Sequence, residues 1–135
     1  MISHVFIGIS DFERALSFYS QVMEELGLIL KFSEPDRPWA AWVSSSAPRP
    51  LFLIGKPYDG QAASVGNGQM IALLAPNRET VNLAYSKAIS NGGTCEGPPG
   101  LRPQYHENYY GAYFRDPDGN KIGVCCHESQ TVICK

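Results

Sequence analysis

Ser10-Asp11-Phe12-Glu13-Arg14-Ala15 falls on Pro76-Asn77-Arg78-Glu79-Thr80-Val81 when the chain is slid along itself until residue 10 meets residue 76. In that register Glu13 meets Glu79, Tyr19 meets Tyr85 and Gly27 meets Gly93, while the apolar run from His4 to Ile9 falls on Met70 to Ala75. A single register with matching element types marks an internal duplication, module one at about residues 1–66 and module two at about 67–135. Two copies fill the 135 residues and leave no linker or separate second domain, so one domain is expected over 1–135.

Each copy reads as strand, helix, then short strands. Val5-Phe6-Ile7-Gly8-Ile9 is a short branched apolar run suited to a buried strand. Ser10 and Glu13 have the spacing of a capping box that opens a helix. Phe12, Ala15, Leu16, Tyr19, Val22, Met23 and Leu26 recur at helical spacing, and Gly27 is placed to end the helix in a left-handed turn. Strands are expected near 28–33, 39–44 and 51–55. In the second copy the strand spans 69–74, Pro76-Asn77 break and cap, and Val81, Ala84, Tyr85, Ala88 and Ile89 form the stripe that Asn91-Gly92-Gly93 stops. A strand at 94–96 precedes a loop at 97–103, and strands near 109–115 and 121–126 flank the turn Asp116-Pro117-Asp118-Gly119-Asn120.

A hydrophobic share of 44% against 18% charged is that of an ordinary globular domain. A net charge of −2 without basic clusters argues against nucleic acid or an anionic membrane as partner. The longest apolar runs are far short of the ~20 residues a membrane span needs, and no secretory leader is seen, so a cytoplasmic protein is expected. Cys95, Cys125, Cys126 and Cys134 form no C-x-x-C, and the adjacent pair reads as small buried hydrophobes.

A βαβββ unit present twice, the helix Asp11-Phe12-Glu13-Arg14-Ala15-Leu16-Ser17-Phe18-Tyr19 and the turn Phe114-Arg115-Asp116-Pro117-Asp118-Gly119-Asn120 together resemble the vicinal oxygen chelate superfamily. That family holds glyoxalase I, bleomycin-resistance and extradiol dioxygenase-like proteins. The resemblance covers the whole chain and implies an α+β fold whose tandem modules curl into a cup-shaped mixed sheet around a small-molecule ligand. It also implies a homodimer. The stretch from Leu101 to Tyr110 is similar to uncharacterised small glyoxalase-like proteins.

In metal-using members, histidine, glutamate or glutamine ligands come from the first and last strands of each module. There a divalent ion polarises a carbonyl and steadies an enediolate. His4 stands at one such position, but Met70 and Gly123 stand at others, and Leu51-Phe52-Leu53-Ile54 carries no ligand type. A thioether binds hard cations poorly. The expectation is therefore no cofactor, with His4 a residual ligand or pocket group. Zinc, nickel, manganese or iron is the alternative, should a one-residue slip bring Gln69 beside His4.

Three functions follow from these residues. The first is a small-molecule-binding protein of this family, nominally like lactoylglutathione lyase, with a degraded metal site. The second is a metal-free sequestering protein of the bleomycin-resistance kind. The third is metal-free acid–base catalysis by His106 and Tyr105, since imidazole and phenol can orient or protonate a small ligand. Arg102, which can grip a carboxylate in bidentate fashion, Tyr109, Tyr110, His4 and Trp42 are the expected binding residues. Trp39 and Trp42 lie on opposite faces of their strand, one of them in the core. His127 is expected at the surface, beyond the last strand.

Overall fold

Residues 1–129 are described by a computed structural model, and Cys134 lies outside them. Module one runs β1 (His4–Gly8), α1 (Phe12–Glu25), β2 (Ile29–Glu34), β3 (Trp39–Val43) and β4 (Leu51–Gly55). Module two runs β5 (Ile71–Leu74), α2 (Arg78–Ser90), β6 (Thr94–Leu101), β7 (Tyr110–Arg115) and β8 (Lys121–Cys126). The two sheets repeat one topology, β1-β4-β3-β2 and β5-β8-β7-β6. In each, the first strand pairs parallel with the last and the others antiparallel. A parallel pairing needs a crossover, which the helix opening each module supplies. The expected α+β fold with tandem βαβββ modules is thus present, as two open four-stranded sheets rather than one continuous cup.

Side chains alternate across the strands and divide two environments. Val5, Ile7, Ile122, Val124 and Cys126 point to the helices, where Phe12, Phe18, Tyr19, Val22, Met23, Val81, Ala84 and Ala88 complete the core. His4, Phe6 and Gly8 point the other way. Phe18, absent from the expected stripe, is fully buried against Phe114 at 6.0 Å between ring centroids. Ile89, placed in the second stripe, is instead exposed, and its neighbour Ala88 takes the buried position in the last turn of α2.

Local differences have simple causes. Asp11, not Ser10, caps α1, accepting from the Arg14 amide at 3.1 Å. Ser10 serves as a tie, its Oγ accepting from the Ala63 amide and its own amide donating to Asp118. Residues 97–101, expected as a loop, continue β6, because the register with β7 shifts after Cys95 and Gly97 and absorbs the Gly-Pro-Pro-Gly run. Gly27 and Gly119 adopt the left-handed φ of 74° and 95° foreseen for their turns. No helix among the described residues is long and apolar enough to cross a membrane.

The modules are joined through the β7–β8 turn. Tyr19 of α1 donates to Asp116 Oδ2 at 2.6 Å in the buried interior. Asn120 Nδ2 donates to the Gly8 carbonyl and to Asp116 Oδ2, and Arg14 faces Asp118 at 3.6 Å. Burial first, then the Asp116 carboxylate, pushes the Tyr19 phenol well above its ordinary 10.0. A hydroxyl raised in the folded state contributes stability that is present below the unfolded value and lost as pH climbs past it. Tyr19→Phe is expected to cost about 1–2 kcal/mol at neutral pH in urea unfolding. It should also reduce the loss of stability seen above about pH 10. A variant matching the parent at both pH values would contradict the tie.

Candidate functional site

The face of the two sheets turned away from the helices forms a trough of three connected clefts. The module-one cleft, about 830 Å³, is walled by His4, Phe6, Arg37, Trp39 and Lys56. Phe6 passes from it into a middle cleft of about 400 Å³ between β1 and β5. Met70 and Lys121 pass from there into the module-two cleft of about 700 Å³, lined by Arg102, Tyr105, His106, Tyr109, Tyr113 and His127.

Most of the sequence-derived site residues meet in the module-two cleft. The segment between β6 and β7 folds back on itself, with the Arg102 amide donating to the Tyr109 carbonyl at 2.8 Å. This brings Tyr105 against Tyr109, ring centroids 5.1 Å apart, and His106 beside both. The Arg102 guanidinium donates to the Pro98 carbonyl at 2.7 Å and lies 5.5 Å from the Tyr113 ring, with Lys121 at 5.7 Å. Neither cation makes an ion pair among the described residues, so a positive edge faces the cleft beside an aromatic surface.

Of the other expected binding residues, His4 opens on the module-one cleft and two lie off the trough. Trp42 is only 2% exposed and packs on Tyr19 inside the core, since its parity on β3 aims it at the helices; Trp39 takes the trough-facing position. Tyr110 likewise turns to α2, donating to Asn82 Oδ1 at 2.7 Å with Arg78 over its ring. Conversely, His127, expected at the bare surface, is exposed yet joined to His106, Nδ1 to Nε2, at 2.8 Å. The alternation Lys121, Gly123, Cys125, His127 carries the trough face of β8 one step past the strand, which is the sequence signal that locates His127.

The positions implied for a divalent ion do not suit one. His4 opens on the module-one cleft, with Nδ1 at 3.0 Å from Ser3 Oγ, whereas Met70 opens on the other two. Among the described residues no three His, Cys, Asp or Glu side chains gather to hold a metal. Gly123 does stand on the trough face, but the Tyr113 ring covers it: a Cβ there would meet Tyr113 Cδ1 at 3.2 Å and Ala72 Cβ at 3.4 Å. An aromatic ring thus occupies the space into which a last-strand ligand would project.

Tyr113 also reaches Tyr109. Its hydroxyl lies 2.9 Å from Tyr109 Oη, so the two phenols share one hydrogen bond. Burial, followed by hydrogen bonds to Tyr113 and Cys125, pushes the Tyr109 phenol far above its ordinary range. Tyr109 is therefore a donor at neutral pH, not a base.

Paired βαβββ modules whose sheets open away from the helices define the glyoxalase-like fold. The chain belongs to the Glyoxalase/Bleomycin resistance protein/Dioxygenase superfamily, whose profile matches residues 1–124. It is similar to a glyoxalase/bleomycin resistance protein from Albidiferax ferrireducens T118, at 35% identity over 95% of this chain and 99% of that one, with a TM-score of 0.82. The fold is shared with a glyoxalase-related enzyme from Fulvimarina pelagi, at 17% identity, 99% coverage of each chain and TM-score 0.70. It is also shared with a lactoylglutathione lyase from Agrobacterium tumefaciens, at 19% identity, 93% and 92% coverage and TM-score 0.63. No curated protein matches the chain.

Gly123→Val tests how closely Tyr113 sits on β8. The added branches must displace the ring, at an expected cost of about 1–3 kcal/mol in thermal unfolding. A variant as stable as the parent would show that the ring does not occupy that space.

Proposed function

We propose that this chain is a small-molecule-binding member of its superfamily that works without a metal and holds an oxygen-bearing planar ligand in the module-two cleft. The observation that carries the reading is Tyr113 lying over Gly123 with its hydroxyl turned to Tyr109. In place of a Lewis acid, the cleft offers a hydrogen-bonded pair of phenols, two cations without an ion pair among the described residues, and an aromatic wall. A carboxylate or carbonyl oxygen meets Tyr109 and Arg102, while a ring lies along Tyr113 and Tyr105. Lactoylglutathione lyase-like isomerisation through a metal-bound enediolate has no support from these donors. Sequestration of the ligand without turnover uses the same geometry, and Arg102, Lys121, Arg37 and Lys56 favour anionic over cationic ligands.

Acid–base work by His106 is disfavoured by its surroundings. Both its ring nitrogens are engaged, Nδ1 by the Asn108 amide at 3.2 Å and Nε2 by His127. Tyr105 is 63% exposed and serves as a wall. We read the protein as a cytosolic homodimer, with exposed Ile29, Leu30 and Leu74 available to a second copy.

Calorimetric titration with planar aromatic carboxylates and their uncharged amides tests the reading. The carboxylates should bind more tightly, and Arg102→Ala and Tyr109→Phe should each weaken them about tenfold. Equal binding of acid and amide, unchanged in both variants, would contradict it. Light scattering is expected to give the mass of two chains at micromolar concentration, and a single 14.8 kDa species would contradict the dimer.

A further inference from the structure

The duplication places the same kind of surface in both outer clefts of the trough. In module two the Tyr113 ring covers Gly123, with Arg102 and Lys121 beside it. In module one the Phe6 ring covers Gly55, where a Cβ would meet Phe6 Cζ at 2.9 Å, and Arg37 and Lys56 stand in the same cleft. The Arg37 guanidinium lies 4.0 Å from the centre of the Trp39 ring, and Trp39 Nε1 donates to Glu34 Oε1 at 2.6 Å. Stacking of this kind orients a guanidinium without neutralising it. Like Arg102 and Lys121, Arg37 and Lys56 make no ion pair among the described residues. Of the carboxylates lining the outer clefts, Glu96 is paired with Arg115, and Asp59 accepts from the Gln61 amide at 3.0 Å. The trough is thus rich in free cations, in a chain that carries 13 acidic against 11 basic side chains. Between the two pairs of cations the middle cleft presents Phe6, Val65 and Met70, all exposed. Exposed apolar side chains gathered between unpaired charges mark a surface that a ligand covers.

We infer that the module-one cleft is a second anion subsite, and that the ligand is one elongated molecule with an acidic group at each end. Its planar, acid-bearing end lies in the module-two cleft at Arg102 and Lys121. An apolar spacer crosses Phe6 and Met70, and the second acid meets Arg37 and Lys56. The clefts share their walls, Phe6 between the first and the middle, Met70 and Lys121 between the middle and the last. The backbone brings the two cation pairs to one path. Gly8 pairs with Gly55, which Lys56 follows, and the Gly8 carbonyl accepts from Asn120 Nδ2 at 3.0 Å, which Lys121 follows. Lys56 and Lys121 therefore both stand near the end of β1. Once one acid is held, the second binds as an intramolecular event, so two modest contacts add into one firm one. A ligand with a single acid leaves one pair of cations without a partner, and a cationic end is repelled.

The inference rests on the module-two cleft being a ligand site, and one titration separates the two. Para-(ω-carboxyalkoxy)benzoates of increasing chain length are titrated calorimetrically into the full chain, beside the same compounds with the chain-end acid replaced by an amide. One diacid is expected to bind per chain, and its affinity should climb with length until it exceeds that of its amide about tenfold. Arg37→Ala and Lys56→Ala, both at exposed positions, should each erase that advantage and leave the amides bound as in the parent. Phe6→Ala should weaken the long diacids and spare the shortest ones. No gain over the amide at any length, two diacids per chain, or a gain untouched by both Arg37→Ala and Lys56→Ala would overturn the inference. If the amides then still bind in an Arg102-dependent way, the module-two reading stands without the second subsite. A gain that survives Arg102→Ala, or no binding of either compound, would overturn both.

Discussion

A buried carboxylate holds this molecule in its shape. Asp116 is 3% exposed, and its oxygens accept from the Tyr19 hydroxyl, from the amides of Asp118 and Asn120, and from the Asn120 side chain. A charge so far from water is tolerable only when its lone pairs are filled. Here they are filled by groups from both modules, so the requirement to satisfy one carboxylate fixes how module two sits on α1. Asn120 extends the tie to the Gly8 carbonyl at the end of β1, and Asp118 extends it to the Ser10 amide. Among the described residues the two sheets have no strand pairing between them. Their relation depends on this turn, on helix packing and on the core that Phe18, Tyr19 and Phe114 share.

That junction also shapes the trough. Asn120 and Lys121 line the middle cleft that connects the two larger ones, so the residues closing the core on one side open the ligand surface on the other. The module halves are chemically unlike despite their common topology. Module one presents His4, Trp39, Arg37 and Lys56. Module two presents hydroxyls and two histidines beside two cations. The duplication supplied the scaffold, and the side chains on each trough face then diverged.

Much of this was legible in the chain. The shared register of residues 10 and 76, the helical stripes and the Asp-Pro-Asp-Gly-Asn turn are local signals, and local signals fix element type and order. The family resemblance put His4 and Gly123 at ligand positions, and both stand on the trough face; strand parity served to separate Gln69 from Met70. The same rule left the two tryptophans undecided, because alternation separates Trp39 from Trp42 but does not say which face meets the helices. Tyr105, His106, Tyr109 and Arg102 were gathered by their nearness in sequence, and the fold does bring them together. Tyr113, Lys121 and His127 were missed because each joins the cluster only through the pairing of β7 with β8. The Gly-Pro-Pro-Gly run read as a loop because glycine and proline usually break strands, whereas register shifts let β6 keep them.

The central claim is that the cleft meets a ligand oxygen with phenol, guanidinium and ammonium groups rather than with a metal ion. Elemental analysis tests it most directly, on tag-free protein before and after loading with zinc, nickel, manganese and iron. The account predicts less than stoichiometric metal in every case and no thermal shift on loading. One ion per chain, lost in His4→Ala, would contradict it.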